Sequence, residues 1–507
     1  MVESTSCATY LGPVLLAVFL LRDLLERWAS SRNQARYRPF AFPNPETRKY
    51  HISDVSIIIP TVDTDPSFTR CLCGLLNHKP LEIIIVATET ERYRVQALVH
   101  NATVQKAAAA AGGKTHIRIL TVRHANKRDQ LVQGISASRG EILALVDDDA
   151  FWQNERLLWH LLAPFQEDDI GLVGCPITKV SNIITPWEVA AIRLRGKRHG
   201  SMKSAYAADG GINFCVSGVT MLLRGEILRD PEFQHAFTND FWMGHRQNSG
   251  DDSFITRWVL FRHQMKDDDN NNIISQSHPW LQRKPQQINN TDNLNHINVE
   301  NNVHGNPQHS TRTQWRLGMQ LTSEAEVGTS IMPDARFAGQ LKRWYRSGLR
   351  HRLMCLFFEP GIRAMWRTCP YMTRKMVEGM LTPVLLPLRL YALYATFDVF
   401  PGLALFILTW KICSYIHGLF TFSLEYPYTG KYWWAAVLVD HLYLVSDWYC
   451  WATLGTEAWM TRRDVDQEER QVEVVSEGMS PNTDMRRDVR ENGNVTENVD
   501  GVVDMTD

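Results

Sequence analysis

Three short motifs carry the residue types that could do chemistry in this chain. The apolar run at residues 143–146 ends in three aspartates at residues 147–149. A second acidic pair follows a glycine at residues 251–252, and Gln-Leu-Lys-Arg-Trp occupies residues 340–344. An Asp-x-Asp pair at a strand end can hold a hard divalent cation, and another carboxylate can take a proton from a hydroxyl group. An arginine beside a tryptophan can bind a pyrophosphate and stack on a sugar ring.

Each motif also has an ordinary structural explanation. An exposed aspartate triplet is most often a solvated turn, and Asp251 and Asp252 would suit a helix N-terminus, where the helix dipole favours acidic residues. Lys127 and Arg128, just before a predicted helix, could bind phosphate oxygens, although surface cations are common. Trp344 could merely anchor the chain at a membrane interface. The order of the motifs, ahead of membrane-like sequence, favours the functional interpretation.

An α/β sheet is predicted to position these motifs. β-branched, apolar runs predict strands at residues 55–60, 81–86, 117–122 and 142–146. Helical stretches separate most of them, such as residues 93–111, which Gly112 and Gly113 would end. Strands that are apolar throughout and alternate with helices are typical of parallel sheets covered on both faces. Because ligands bind at the carboxyl ends of such strands, the segments after the first, second and fourth strands should converge.

Apolar segments at both ends of the chain predict membrane helices. Residues 8–21 are apolar and precede five arginines, which predicts a span with an outside N-terminus, or alternatively an amphipathic surface helix. Three further spans are predicted at residues 379–397, 400–420 and 433–451. Arg389 and Lys411 lie inside these spans, where charges usually face a cavity or another helix. A water-filled path for a polar product would account for them, and snorkelling to the interface is the alternative.

Composition excludes one class of partner and predicts two disordered segments. The net charge of -1 and the pI of about 7.0 give no sign of nucleic-acid binding. Residues 263–313, rich in Asn, Gln and His, and the polar tail at residues 461–507 are predicted to be disordered. The tail carries a glycosylation sequon at Asn494. Four spans would place the tail outside, whereas Arg462 and Arg463 favour the inside, so its side of the membrane is left open.

Taken together, the motifs resemble those of the membrane-embedded family-2 glycosyltransferases, the group that holds hyaluronan, chitin and cellulose synthases. The layout is most similar to hyaluronan synthases and to the hyaluronan-synthase-like type 2 glycosyltransferases of filamentous fungi. The matching motifs lie at residues 57–63, 126–130, 138–149, 215–224, 250–252 and 340–344. The resemblance implies a Rossmann-like α/β GT-A domain in the cytosol, with a mainly parallel sheet, and an α-helical transmembrane bundle.

The resemblance also implies a role for each motif residue. The nucleotide-sugar donor would be bound by Thr61, Asp63, Lys127, Arg128, Asp147, Gln340, Arg343 and Trp344. Mn2+ or Mg2+ would be held by Asp149 and Asp147, and the catalytic base would be Asp252. The acceptor would be contacted by Ser217, Gly218 and Trp344.

One position departs from the family pattern. The family usually has an aspartate after the second strand that contacts the nucleotide base. Here that strand runs into Thr88 and Glu89. Either Asp63, Thr88 or Glu89 takes over this contact, or donor selection differs.

The expected domains follow the same division. They are an N-terminal span and basic linker (1–45), a GT-A domain (46–348), interface helices (349–376), transmembrane helices (377–460) and a polar tail (461–507). The predicted function is metal-dependent, inverting transfer from a UDP-sugar that builds and exports an extracellular or cell-wall polysaccharide. The protein would be a multi-pass plasma-membrane protein in contact with lipids, a growing glycan and, if its small channel needs completing, another chain. The alternatives are a transferase that adds single sugars to a lipid or short acceptor, and a catalytically silent membrane scaffold.

Overall fold

A computed structural model describes residues 10–179, 184–212, 215–242, 245–247, 249–271 and 314–455. The strands are β1 (Val55–Pro60), β2 (Glu82–Thr88), β3 (His116–Val122), β4 (Ile142–Val146), β5 (Ala150–Trp152), β6 (Ile170–Gly174), β7 (Ile177–Lys179), β8 (Thr220–Arg224), β9 (Phe241–Trp242), β10 (His245–Arg246), β11 (Arg316–Met319) and β12 (Val327–Thr329). The helices are α1 (Leu11–Arg36), α2 (Phe68–Leu76), α3 (Arg92–Val99), α4 (Ala102–Ala110), α5 (Lys127–Ala137), α6 (Leu157–Leu162), α7 (Pro186–Asp209), α8 (Gly225–Leu228), α9 (Pro231–Thr238), α10 (Asp251–Asn271), α11 (Arg336–Leu353), α12 (Ile362–Thr368), α13 (Pro370–Val399), α14 (Pro401–Glu425) and α15 (Trp433–Ala452).

The central sheet has seven strands in the order β11-β6-β8-β4-β1-β2-β3. Strands β4, β1, β2 and β3 pair in parallel, as do β11 and β6, while β8 runs antiparallel to both β4 and β6. Every residue of β1, β2 and β4 is buried, as expected for strands covered by helices on both faces. The prediction of an α/β fold with a mainly parallel sheet is confirmed, and all four predicted strands are present with small shifts at their ends.

The helix predicted between the second and third strands is interrupted. Instead of one helix, α3 and α4 are separated at Asn101, whose side chain accepts a hydrogen bond from the Thr103 backbone N–H at 2.9 Å. Asparagine is a favoured N-cap, so it starts a new helix where the apolar periodicity alone predicts continuation. Gly112 and Gly113 follow α4 with φ values of 86° and 65°, a conformation that ends the helix as predicted.

A second, smaller sheet lies directly after the aspartate triplet. Its strands are in the order β5-β12-β7, with β12 antiparallel to β5 and parallel to β7. Thr329 at the end of β12 pairs with both Ala150 and Lys179. The register therefore brings the start of β5, the end of β12 and the end of β7 to one edge.

Long helices from both ends of the chain pack beside the sheet domain. Helix α1 packs on α13 and α7, and α15 packs on α7 and α11. Among the described helices, α13 and α14 are long and apolar enough to cross a membrane, judged by length and composition only. Helices α1 and α15, which were also predicted as spans, do not meet that standard. Two helices of this kind are weak evidence, so the transmembrane bundle stays a proposal.

The two charges inside the predicted spans face another helix. Arg389 donates to both carboxylate oxygens of Asp23 on α1, at 3.0 and 3.1 Å, and Lys411 donates to the same carboxylate. These ion pairs tie α13 and α14 to α1. Neither a water-filled path nor snorkelling is therefore needed to explain Arg389 and Lys411, because the unlike charge of Asp23 already accounts for their position.

Three predicted segments lie partly or wholly outside the described residues or next to them: the insertion, the tail and the interface segment. Helix α10 continues to Asn271, so the start of the predicted insertion at residues 263–313 is helical. Residues 272–313 of that insertion, and the whole predicted tail with Asn494, lie outside the described residues. The predicted interface segment at residues 349–376 contains the end of α11, a π-helical turn, α12 and the start of α13. Phe357 and Trp366 are exposed there.

Candidate functional site

A cavity of about 650 Å³ lies at the carboxyl ends of β1 and β4. All three sequence motifs reach it. The predicted site residues that line it are Thr61, Lys127, Asp147, Asp149, Ser217, Gly218, Asp252, Gln340, Arg343 and Trp344. Motifs that are far apart in sequence thus converge at the sheet edge where a parallel α/β fold is expected to bind its ligand.

The aspartate triplet divides its side chains between the fold and the cavity. The buried Asp148 carboxylate accepts a hydrogen bond from the Thr61 hydroxyl at 2.6 Å, which fastens the turn to the end of β1. Asp149 accepts a hydrogen bond from the Thr329 hydroxyl at 3.0 Å, which fastens it to the end of β12. Asp147 and Asp149, one residue to either side of Asp148, are therefore held at the cavity by different neighbours.

Lys127 joins the first acidic motif to the second. Its ammonium group lies 2.9 Å from Asp147 Oδ1 and 2.9 Å from Asp251 Oδ2. Burial opposes the charge of Lys127, but the two carboxylates hold its pKa above the ordinary value. Burial raises the pKa of Asp147, whereas for Asp251 the attraction of Lys127 outweighs burial and lowers the pKa. The Lys127 side chain thus bridges two elements that both border the cavity.

Arg128 does not face the cavity, which corrects the expectation that it contacts donor phosphates. Asn126 caps α5 so that the helix begins at Lys127, earlier than predicted. Adjacent helical residues point in different directions, and Arg128 is almost fully buried on another side. Its guanidinium donates to the Phe237 carbonyl at 2.8 Å and to Asp240 at 2.9 Å. Arg128 holds α9 and the following segment in place.

The candidates for the nucleotide-base contact also lie outside the cavity lining. Asp63 has a left-handed backbone conformation (φ 52°), and its half-exposed side chain pairs with Arg94 at 3.4 Å. Thr88 is buried and shares a hydrogen bond with Thr90 at 2.9 Å. Glu89, like these two, is absent from the residues that line the cavity. The placement of Asp63 therefore gives no support to its predicted donor contact.

Asp252 stands at the start of α10, where Gly250 adopts a positive φ of 77°. Its carboxylate accepts hydrogen bonds from the Cys215 thiol at 3.1 Å and from the Ser253 backbone N–H at 2.7 Å. Burial, with the nearby Asp252 charge, raises the pKa of Cys215, so the thiol keeps its proton and remains a donor. A Cβ atom added to Gly218 would lie 3.5 Å from the Asp252 Cβ, so this backbone passes directly beside the carboxylate. Among the described residues, the Asp252 carboxylate forms no ion pair.

The Gln-x-x-Arg-Trp motif lies on α11. Residues three and four positions apart share a helix face, so Gln340, Arg343 and Trp344 all border the cavity. The buried Gln340 Oε1 has no hydrogen-bond partner among the described residues. Trp344 packs edge-on against Phe337, with ring centroids 6.3 Å apart. The spacing of the motif thus presents an amide, a cation and an aromatic ring to one space.

Sequence analysis did not single out the basic face of α7. Arg195, Lys197, Arg198 and His199 of this helix line the same cavity as the acidic residues. Arg195 donates to the Thr178 carbonyl at 3.0 Å, and burial lowers its pKa to about 10. A capping box at Thr185 marks the start of α7, and that signal is visible in the sequence. The sequence does not show that these basic residues face a cavity, because a helix with its basic residues in solvent has the same charge pattern.

The acidic residues fit a metal ion that is bound partly by a substrate. Among the described residues, no group of three or more His, Cys, Asp or Glu side chains forms a complete metal site. Asp149 and Asp147 nevertheless both border the cavity. Mg2+ typically binds through one or two carboxylates together with substrate phosphates, and this donor set suits that arrangement.

The chain is similar to known glycosyltransferases in sequence and to one of them in structure. The family model described as "Glycosyltransferase like family 2" matches residues 53–263. The NDP-glycosyltransferase ltbB of Aspergillus luteorubrus is 31% identical over 451 residues, which cover 87% of this chain and 95% of the relative. A type 2 glycosyltransferase of Zymoseptoria tritici is 29% identical over 361 residues, or 71% of this chain and 62% of the relative. The solved structure of a mannosyltransferase from Pyrobaculum calidifontis, in complex with GDP-Man and Mn2+, has a TM-score of 0.47 at 14% identity and covers 87% of this chain and 97% of its own.

Proposed function

The chain belongs to glycosyltransferase family 2, and on that premise we propose that it transfers a sugar from a UDP-sugar to an acceptor hydroxyl with inversion at the anomeric carbon. One observation carries the proposal. Asp149, Asp252 and the Gln-x-x-Arg-Trp face of α11 border the same cavity at the carboxyl edge of a GT-A-like, mainly parallel sheet. A donor diphosphate, a general base and an acceptor can all be placed there.

In this proposal Asp252 is the general base. The acceptor oxygen attacks the anomeric carbon from the face opposite the diphosphate, its proton passes to the Asp252 carboxylate, and the bond to the diphosphate breaks with its electron pair. The Cys215 thiol and the Ser253 N–H orient the carboxylate for this transfer. Gly218 leaves room for the acceptor, because any side chain there would enter the space beside Asp252 and Lys127.

The leaving diphosphate is the proposed partner of the basic residues and of a divalent cation. Arg343 would donate to its oxygens, and Trp344 would support the acceptor sugar by stacking. A Mn2+ or Mg2+ ion held by Asp149 and Asp147 would neutralise charge on the departing group. Lys127 would fix the position of Asp147 through their ion pair.

We propose that transfer takes place at the cytosolic face of a membrane, as chain extension with export through the plasma membrane. Support comes from α15, whose Asp440 and Asp447 border the cavity, so that an acceptor can reach the predicted membrane helices. The division into a catalytic domain (46–348) and a membrane region (377–460) belongs to the same proposal.

A second candidate is transfer of single sugars to a lipid or short acceptor. Asp440 closes the α15 side of the cavity with a cluster of contacts, to Arg193 at 3.0 Å, Lys197 at 2.6 Å and Tyr415 at 3.2 Å. A polymer that leaves on this side has to open the cluster, whereas a short acceptor does not. This observation favours the second candidate over extension.

Purified protein in detergent, incubated with Mn2+ and radiolabelled UDP-sugars, tests both candidates. High-molecular-weight product from one donor, lost in Asp252→Asn, supports extension. Short product or glycolipid that still depends on Asp252 supports single transfer. Asp168→Asn, at an exposed carboxylate outside the cavity, is the matched control and should keep full activity. Turnover in Asp252→Asn equal to the wild type would exclude Asp252 as the base.

A further inference from the structure

We propose that Arg195 on α7 is a ligand of the leaving diphosphate, next to the Gln-x-x-Arg-Trp motif of α11. The proposal rests on the proposed function, because it assigns a residue to the donor subsite of the same cavity. Neither the motifs of the sequence nor the family resemblance includes Arg195.

The first observation is that Arg195 borders the cavity and is attracted by Asp149, but forms no ion pair among the described residues. Its contacts are the hydrogen bond to the Thr178 carbonyl at 3.0 Å and the face of the Trp344 ring, with the guanidinium carbon 5.8 Å from the ring centroid. Among the described residues, no carboxylate lies within ion-pair distance of it. A guanidinium has five N–H donors, and burying it without an anion is costly. The missing partner is therefore an anion that occupies the cavity.

Arg193, two residues before Arg195 on α7, is an arginine whose charge is paired with a carboxylate of the protein. Arg193 donates to Asp440 through Nε at 3.1 Å and Nη2 at 3.0 Å, and to the Gly418 carbonyl at 3.1 Å. Arg198 donates to the Cys215 carbonyl at 2.8 Å. Arg193 has a carboxylate partner from the protein, whereas Arg195, which borders the cavity, has none within the described part of the chain.

The small sheet places Arg195 next to the proposed metal ligand. Arg195 is fastened to Thr178 of β7, and Asp149 is fastened to Thr329 of β12. Strands β7 and β12 are paired, with Thr178 opposite Gly328. The cation and the carboxylate are thus held on adjacent strands at one edge. A diphosphate bound through a metal ion at Asp149 would lie within reach of Arg195.

Trp344 connects this cation to the α11 motif. Arg195 contacts the ring of Trp344, and Arg343 is the residue before it. Arginine binds phosphate oxygens bidentately, so two guanidinium groups from different helices can hold a diphosphate from two sides. Diphosphate release leaves one more negative charge on the oxygens, which increases the attraction of both arginines for the product.

Binding of Mn2+-UDP, Mn2+-pyrophosphate and Mn2+-UMP, measured by calorimetry on the full chain in detergent, tests the proposal. Pyrophosphate is included because it reports on the anion subsite whatever base or sugar the donor carries. In Arg195→Gln we expect UDP and pyrophosphate to bind about ten- to a hundredfold more weakly, because a charged hydrogen-bond donor is lost, and UMP to change less. Arg195→Lys keeps the positive charge but not the bidentate guanidinium, so its affinity for UDP and pyrophosphate should fall less than that of Arg195→Gln.

Lys203→Gln is the matched control, because it removes one charge from α7 at a residue outside the cavity lining and should leave all three affinities unchanged. Unfolding temperatures identify a variant that fails to fold, in which case Arg195→Lys alone decides the outcome. Unchanged UDP and pyrophosphate affinity in Arg195→Lys and Arg195→Gln, or an equal loss for UMP, overturns the proposal, as does a wild type that binds neither anion. A wild type that binds pyrophosphate through Arg195 but turns over no sugar donor would overturn the proposed function and leave the anion subsite standing.

Discussion

Two groups of charged residues in this protein differ in how completely the chain itself satisfies them. Between α1, α13 and α14, Asp23 is bound by Arg22, Arg389 and Lys411. In the cavity, by contrast, Arg195 has no carboxylate partner among the described residues. Gln340 Oε1 likewise lacks any hydrogen-bond partner there.

This difference indicates where a ligand is expected to bind. Buried polar groups are normally hydrogen-bonded, and buried charges are normally paired. The cluster around Asp23 follows that rule and so has a structural explanation in holding helices together. The cavity departs from it, and a bound nucleotide sugar would supply the missing partners. Changes at the proposed ligand-binding residues of the cavity should therefore affect binding and turnover, whereas changes at paired charges, in the Asp23 cluster or at Lys127, should affect stability.

The largest expected effect is on turnover and comes from Asp149→Asn. Loss of the carboxylate removes a proposed metal ligand, and we expect turnover to fall about 10²–10³-fold, as when one electrostatic contact to a developing charge is lost. The Thr329 hydroxyl can still donate to the amide oxygen, so the unfolding temperature should stay near that of the wild type. Turnover with a titration of Mn2+ measures the effect, and excess chelator should abolish wild-type activity. Full activity of the variant at low Mn2+ would contradict the assignment.

Lys127→Met removes the cation shared by Asp147 and Asp251 and should lower stability by about 3 kcal/mol, because it leaves the buried Asp251 and the partly buried Asp147 carboxylates without their partner. In the wild type, the lowered pKa of Asp251 adds stability above its usual pKa, and this is lost as pH falls through the lowered value. Without Lys127, burial should raise the pKa of Asp251, as it already raises that of Asp147, and the deficit should then shrink as pH falls from 7 toward 5.

Chemical denaturation at pH 7 and pH 5 measures this deficit. Lys106→Met, at an exposed lysine on α4, is the control and should behave as the wild type at both pH values. A deficit that stays constant or grows on acidification would show that the lysine stabilises the fold by packing rather than by charge.

Asp23→Asn tests the fully paired group and should have a smaller, purely structural effect. We expect a loss of about 2 kcal/mol, below the cost of a fully buried pair, because Arg389 and Lys411 are about one-third exposed. Thermal unfolding in detergent measures the loss, with Asp398→Asn, an exposed residue of α13, as control. Affinity for Mn2+-UDP should not change in the folded fraction. A loss of nucleotide affinity without loss of stability would remove the distinction between the two groups.

The smallest expected effect is at the support of the proposed base. Cys215→Ala removes the hydrogen bond to Asp252, and we expect turnover to fall about two- to tenfold, the size of one neutral hydrogen bond. Cys215→Ser should restore most of it, since a hydroxyl can donate in the same place. The comparison of turnover between the Ala and Ser variants is the decisive measurement, and equal turnover in the two would contradict a role for the hydrogen bond. Cys413→Ala, at an exposed cysteine, should change nothing.

Much of the fold was predictable because it depends on local patterns. Apolar β-branched runs mark β1 to β4, and the paired glycines after α4 end that helix as expected. The break at Asn101 was missed because apolar periodicity extends across a residue whose side chain caps a helix. The acidic and Gln-x-x-Arg-Trp motifs were recognisable because their residue types and spacing are themselves the signal. Their convergence followed from the rule that parallel strands present their carboxyl ends at one edge.

Residue patterns were enough to predict the parallel α/β architecture, the edge of the sheet where the cavity lies and ten of the residues that line it. Only the folded chain shows that Arg128 turns away while Lys127 bridges Asp147 and Asp251, because α5 already begins at Lys127 and adjacent residues of a helix point in different directions. It also decided that Arg389 and Lys411 meet Asp23, a partner more than three hundred residues away in the chain. Finally, it brought Arg195 into the cavity. Which charged residues form ion pairs depends on their distances in the folded chain, and these distances cannot be read from the sequence.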